Sequence, residues 1–330
     1  MKVFLTGVTG LLGNNVARLL CERGDEVVAL VRSEPAVETL DGVRVRLVRG
    51  DLQDARAIED AVTSCDAVVH SAALIHLGWT RMKESLRVNR GGTSVVARAA
   101  LKHGKRMVHV GTVNTLALAS GGIPSDENTE ITAVNAQVPC AYVVSKRASV
   151  EVVTRRISKG LDAVIVHPGF MLGPYDWKPS SGRMMLELGR GYKPVWPIGG
   201  CSVCDVRDVA KGLLSALDRG VTGRHYVLAG ENVTYHRLWS EMATRMGRPK
   251  PVIPVGLGMR TAASALGDLA ARLTGRETDI NSAGVKMSSQ FHWHSSARAR
   301  AELGYTNRPL GETLDDAAVW IKEHFIRPRR

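Results

Sequence analysis

Short runs of β-rich apolar residues recur through the first half of the chain: VFLTG, EVVALV, VRLVRG, DAVVHSA and RMVHVGT. Between them lie longer stretches that read as helices, among them LLGNNVARLLCERG and MKESLRVNRGGTSVVARAALKHG. This alternation predicts βαβ units, and hence an α/β fold with a doubly wound parallel sheet and helices on both faces. Gly24 and Gly104 stand where two of those helices should end, directly ahead of the next strand. No internal repeat or low-complexity tract interrupts the pattern. It loosens after Pro168, where WKPSSGR, Pro194, Pro197 and a Gly-Gly pair break the order. One later stretch, RTAASALGDLAARL, has a helical pattern that a membrane surface could accept, but burial inside the second half is the expectation.

Composition narrows the class. With 330 residues, 44% hydrophobic and 23% charged, the chain has ample material for one large domain or two closely joined ones. No run of about 18 apolar residues predicts a membrane-spanning helix. The first strand begins at Lys2, which leaves no room for a secretory signal, so a cytoplasmic location is expected. Of five cysteines only Cys201 and Cys204 form a C-x-x-C pair. Without a second pair or a histidine at ligand spacing they read as small residues in and beside a strand, and no metal is expected. The formal charge is +12. Residues 1–150 hold 18 Lys and Arg against 15 Asp and Glu, and residues 151–330 hold 26 against 17, so the excess is +3 and +9. The arginines are dispersed, only the tail IRPRR clusters, and aromatic stacking residues are few, so nucleic acid is not an expected partner.

The loop after the first strand carries the first chemistry. TGVTGLLG, residues 6–13, places Gly7, Gly10 and Gly13 at G-x-x-G-x-x-G spacing between a strand and a helix. Glycines there allow a tight turn and bring backbone N–H groups to a pyrophosphate at the positive end of the helix. Gly7, Thr9, Gly10, Leu11, Leu12 and Gly13 are therefore the candidate cradle of a dinucleotide, and the fold reads as Rossmann type. The second strand ends in Arg32, where a carboxylate would serve NAD; a guanidinium suits the 2′-phosphate of NADP, with NAD as the alternative. Asp51 and Leu52 after the third strand suit the adenine edge. The expected division is a dinucleotide-binding domain over 1–167, rejoined by elements near 203–228, and a smaller mixed α/β substrate-binding portion over 168–330.

YVVSK raises the second chemistry. Tyr142 and Lys146 lie four apart in a helical run, so they share one face. Upstream, VHVGTVN sets Thr112 at the end of the fifth strand.

Taken together these segments resemble the extended short-chain dehydrogenase/reductases over nearly the whole chain. TGVTGLLG resembles their cofactor loop, HSAA the segment after their fourth strand, VNRGGT their N-x-x-G-T helix and YVVSK their Y-x-x-x-K. HPGFMLGP, CDVRDVA and SSARARAELGY resemble later family segments. Within the family the chain looks most like the dihydroflavonol 4-reductase-like enzymes and the hopanoid-associated sugar epimerase subgroup. The resemblance implies that Tyr142 exchanges a proton with a carbonyl or alcohol. Lys146 would hold the nicotinamide ribose and depress the tyrosine pKa, and Thr112 would hydrogen-bond the substrate oxygen. Bringing the phenol from near 10 to near 7 takes roughly 4 kcal/mol, which a lysine in a partly desolvated cleft is expected to supply. Ala72, Ala73, Pro168 and Gly169 would border the cofactor, and Asn89 would tie helix to sheet. His76, Trp79, His167, Met171 and Lys178, with Tyr175 and Trp177, are candidates for the substrate pocket.

The leading expectation is NADPH-dependent reduction of a small ketone or aldehyde. A nucleotide-sugar epimerase with tightly bound NAD is the alternative, with Lys178, Arg183 and Arg190 as a pyrophosphate clamp. A sugar dehydratase is disfavoured because Val113 and Asn114 follow the threonine where such relatives carry Asp-Glu. A non-catalytic NADP-sensing protein is the third possibility, and such relatives commonly lose the tyrosine or lysine. A homodimer is possible; no feature of the sequence demonstrates one.

Overall fold

A computed structural model describes residues 1–274, 277 and 281–326 of the chain. The arginines of the basic tail, Arg327, Arg329 and Arg330, lie outside the described residues.

The strand-like runs of the first half become β1 (Lys2–Thr6), β2 (Glu26–Val31), β3 (Val45–Arg49), β4 (Ala67–His70), β5 (Arg106–Val110) and β6 (Ala163–Pro168). They alternate with α1 (Leu11–Glu22), α2 (Ala55–Thr63), α3 (Met82–Ser85), α4 (Gly92–Lys102) and α5 (Ala141–Ile157). A π-helical stretch, Leu86–Gly91, joins α3 to α4. Gly24 and Gly104 follow α1 and α4 with φ of +82° and +60°, a left-handed exit that lets the chain reverse into the next strand.

The second half supplies β7 (Phe170–Leu172), α6 (Arg183–Arg190), β8 (Val195–Trp196), β9 (Gly200–Asp205), α7 (Val206–Arg219), β10 (His225–Leu228), β11 (Glu231–Thr234) and α8 (Tyr235–Arg245). Then come β12 (Ile253–Pro254), α9 (Leu257–Thr274), α10 (Ser282–Met287), β13 (Phe291–His292), α11 (Ala297–Leu303) and α12 (Leu310–Ile321).

One sheet of seven strands runs β10-β6-β5-β4-β1-β2-β3, every neighbour parallel. Both faces of the inner strands are covered, which is why β1, β2, β4 and β6 are largely continuous apolar runs, while edge strand β3 carries Arg46 and Arg49. One face packs Val3, Leu5, Val108 and Val166 against α1 and α7, with Leu213 and Tyr226 buried between them. The other packs Phe4, Val68, Met107 and Ile165 against α2, α4 and α5. A second core, around Leu172, Met185, Leu238, Met242 and Leu314, joins α6, α8 and α12 to β9 and β11.

The stretch RTAASALGDLAARL corrects its expectation. It does form a helix, α9, but the helix is not buried: Leu266 is 68% exposed and Leu273 78%. Buried Gly267 lies on its inner side, and Asp268 is tied inward by its hydrogen bond to Ser282 N–H, at 3.0 Å. Periodicity says which residues share a face, not which face the protein keeps.

Candidate active site

The carboxyl ends of the central strands gather the chemistry. After β1 the chain turns through Gly7, at φ +86°, and α1 starts at Leu11. A Cβ on Gly7 would come within 2.8 Å of the Ala72 backbone nitrogen, and one on Gly13 within 2.1 Å of the Gly7 carbonyl. The loop therefore packs backbone on backbone, which only glycine permits. Gly10 is exposed and precedes the helix without a side-chain cap, leaving the first-turn amides of α1 to an anion. Thr9 is half-buried beside it, while Leu11 and Leu12 turn into the core. Thr6 Oγ1 accepts the Ala72 N–H at 3.2 Å and meets His70 Nδ1 at 2.7 Å; His70 Nε2 reaches Thr93 Oγ1 at 3.0 Å. Ala73, next in line, is exposed.

Arg32 stands exposed just past β2, with no hydrogen bond or ion pair to the described residues. Asp51 is exposed and accepts the Gln53 N–H at 2.6 Å. Leu52 lies half-buried against Gly92, where a Cβ would sit 2.6 Å from that of the leucine. An uncapped helix start and a backbone-only loop fit the pyrophosphate of a nicotinamide dinucleotide.

Thr112 follows β5, and its Oγ1 accepts the Asn114 N–H at 3.3 Å. The loop after β4 fixes the first turn of α5, since Ala141 N–H donates to the Gly78 carbonyl at 2.9 Å and Tyr142 N–H to that of His76 at 3.2 Å. Asn89 holds the same loop: its Oδ1 accepts the Leu74 N–H at 2.7 Å, and its Nδ2 donates to Leu74 O at 2.9 Å and Ser145 Oγ at 2.8 Å. Tyr142 thereby lies in the first turn of α5 near Thr112, whose hydroxyl favours the ionised phenol. Lys146, one turn on and 3% exposed, donates from Nζ to the Val110 carbonyl at 2.6 Å.

The electrostatics differ from the sequence expectation. Burial pushes the phenol of Tyr142 up to about 12, with the nearby Thr112 hydroxyl opposing it. Lys146, itself lowered to about 8 by burial, is turned to the Val110 carbonyl, and the phenol is not depressed. The lysine charge acts instead on buried histidines: burial and then Lys146 hold His70 at about 3.

The substrate candidates scatter more widely. His167 is buried; Nδ1 contacts Thr112 O at 3.1 Å and Thr115 Oγ1 at 3.2 Å, and Nε2 contacts His225 Nδ1 at 3.0 Å. It supports Thr112 from beneath. Pro168 ends β6, and Gly169 N–H donates to Leu228 O at 3.1 Å. Met171 packs against the sheet core. Tyr175 lies under the Arg18 guanidinium at 3.7 Å, and Trp177 meets Trp320 and His324 edge-on, away from Tyr142. Lys178 is exposed, Arg183 opens α6, and Arg190 pairs with Glu187 at 3.0 Å.

His76 and Trp79 are gathered by a residue the sequence did not flag. Glu277 accepts the backbone N–H groups of Trp79 and Thr80 at 3.0 and 2.9 Å, and meets His76 Nε2 at 2.9 Å. A carboxylate so far along the chain has no local signal, and only the fold brings it there. A cavity of about 670 Å³ among Lys2, Asp25, Glu26 and Arg46 lies at the opposite ends of the strands. Ligands of open α/β sheets bind at the carboxyl ends, so that cavity is not the site.

Comparison with known proteins agrees with this geometry. Sterol demethylase protein B of Methylococcus capsulatus is 32% identical over 329 residues, 98% of this chain and 99% of that one. A 4-hydroxy-2-methyl-3-oxo-4-farnesyl-3,4-dihydroquinoline-1-oxide ketoreductase of Stigmatella aurantiaca is 29% identical over 330 residues, 93% and 92% of the two chains. The crystal structure of gox2253 superposes with a TM-score of 0.85 at 31% identity, covering 98% of each chain. With residues 3–229 matching its pattern, the chain belongs to the NAD dependent epimerase/dehydratase family, the extended short-chain dehydrogenase/reductases, as an oxidoreductase on a Rossmann fold.

Proposed function

We propose that the protein is an NADPH-dependent reductase that converts a ketone or aldehyde to an alcohol. The observation that carries this reading is the placement of Tyr142 near Thr112, with Lys146 one turn along the same helix. NADPH, when bound, supplies the hydride to the carbonyl carbon. The loop over residues 7–13 and the first-turn amides of α1 hold its pyrophosphate, and Arg32 pairs with the 2′-phosphate. Asp51 and Leu52 flank the adenine; Ala72, Ala73, Pro168 and Gly169 line the nicotinamide side. Lys146 holds the ribose hydroxyls. Thr112 orients the carbonyl oxygen, and Tyr142 donates a proton to it as that oxygen gains charge. A phenol held at about 12 stays protonated at neutral pH, the form a general acid needs. The ketoreductase relative supports the direction of reaction.

Cofactor release and titration test this. The purified protein should prefer NADPH to NADH, consume NADPH with ketones or aldehydes, and lose about tenfold or more of its NADPH affinity in Arg32→Ala while NADH is unaffected. Tightly retained NAD, recycled within each turnover, would instead make the chain an epimerase. NADPH binding without turnover of any carbonyl would leave a sensing protein.

A further inference from the structure

Helix α9 is turned inside out. Met259, Ala262, Leu266, Leu269 and Leu273 follow one another at spacings of three and four, so they form one stripe, and all five are exposed. Seven of the 21 large apolar side chains exposed among the described residues fall within residues 252–273. A third of those side chains thus sit in one short segment, which scattered surface residues do not explain. The inner side carries small and polar residues instead. Gly267 is buried, and Arg260 lines a groove of about 310 Å³ with Val195, Pro197, Val255 and Ala263.

We propose that α9 and the segment leading into it dock the protein on an anionic lipid surface. Charge selects this occupant. Lys250 and Arg248, both exposed and the latter also donating from Nε and Nη2 to the Gly189 carbonyl at 3.1 and 2.8 Å, precede exposed Val252 and Ile253. Asp268 is the one acidic residue between 248 and 274, and it is turned inward to Ser282 N–H. The outer face is therefore apolar with cations at one end, the pattern of a helix lying in the plane of a headgroup layer. A second copy meeting this face through its own residues 248–274 would bring the same cations and only the inward-turned Asp268. The helix is not a span: no helix among the described residues is long and apolar enough to cross a membrane.

The docking face continues to the candidate site. Ser282, bonded to Asp268, also accepts the Trp79 indole N–H at 2.7 Å, and Trp79 belongs to the loop that sets the first turn of α5. Ile75 and Leu77 of that loop are exposed as well, at 55% and 43%. Docking through α9 would bring the loop after β4, which sets the first turn of α5, toward the lipid.

Sedimentation with vesicles decides the matter. The full chain should pellet with vesicles of equal parts phosphatidylcholine and phosphatidylglycerol, and far less with phosphatidylcholine alone. Leu266→Ser with Leu273→Ser should lower the partition coefficient about tenfold or more. Arg248→Glu with Lys250→Glu should lower it several-fold, and salt should do the same to the wild type. Unchanged NADPH binding in these variants shows that they are folded. The proposal is overturned if the wild type stays in the supernatant with both vesicles, or if the serine variant pellets like the wild type. It is equally overturned if the wild type is a dimer in solution that the serine variant splits, since the stripe then belongs to a second copy.

Discussion

Helices α5 and α9 both depart from the rule that a surface helix turns its apolar residues in and its polar ones out, and they do so in opposite directions. Half of the buried residues of α5 that lie inside its span are polar: Ser145, Lys146 and Ser149 stand with Ala141, Val143 and Val153. Helix α9 exposes its leucines and keeps a glycine and a carboxylate inward. Burying polar groups is costly unless each finds a partner, and these three residues of α5 do. Ser145 bonds to Asn89, Lys146 to the Val110 carbonyl and Ser149 to the Lys146 carbonyl. Such an arrangement fixes Tyr142 in place before any substrate arrives. On α9 none of the described residues covers the apolar stripe, and the proposed partner lies outside the chain. A polar inner face marks chemistry, and an apolar outer face marks a contact.

The sharpest break of that comparison is at Tyr142. Tyr142→Phe removes the phenolic oxygen and keeps the ring that packs on Val138, Cys140 and Met287. Turnover of NADPH with a ketone should fall by about a thousandfold, while NADPH affinity stays within about twofold. Full turnover in that variant would make α5 a merely structural helix with an unusual core.

Acid reads the same buried polar layer by a second route. His70 and His167 are each held at about 3 by burial, against about 6.5 for the unfolded chain. Between those values the unfolded state binds more protons than the folded one, so stability rises with pH across the window and is lost as pH falls through it. Each histidine held neutral adds a limiting slope of about 1.4 kcal/mol per pH unit. Urea midpoints between pH 7 and pH 4 should therefore drop steeply, and His70→Gln should flatten the slope by about one proton, whatever it does to the midpoint at pH 7. The groups facing His70 are Thr6, Thr93, His109 and Lys146, none of them acidic. An unchanged slope would show that the layer is wetter than its geometry.

The central sheet was legible because both of its faces are covered, so most of its strands announce themselves as apolar runs. The glycine loop and the Tyr142–Lys146 spacing were legible because their geometry is local: a turn, and one helical step. What lay hidden depends on contacts across the chain. Glu277 clasps Trp79 and Thr80 from about two hundred residues away, and no local pattern signals a carboxylate of that kind. His70 and His167 read as isolated histidines until the sheet aligns β4, β5, β6 and β10 beside Lys146. The pKa of Tyr142 could not follow from spacing either, because it turns on where Nζ of Lys146 points and on how deeply the phenol is buried. Helix α9 was found by its period, but its orientation was not contained in that period.

The smallest expected effect is the most informative about α9. Leu266→Ser with Leu273→Ser, measured without lipid, should change the unfolding free energy by less than about 0.5 kcal/mol, because neither side chain leaves water on folding. Val143→Ala on α5 removes buried methyl groups from the cluster around Tyr142 and should cost about 2 kcal/mol. Thermal melts of the two variants, run side by side, separate a helix that holds the fold from one that waits for a surface. If the serine variant melted several degrees early, its leucines would be covered by the protein itself in solution. The opposition between the two helices would then be lost, and with it the reason to look for lipid.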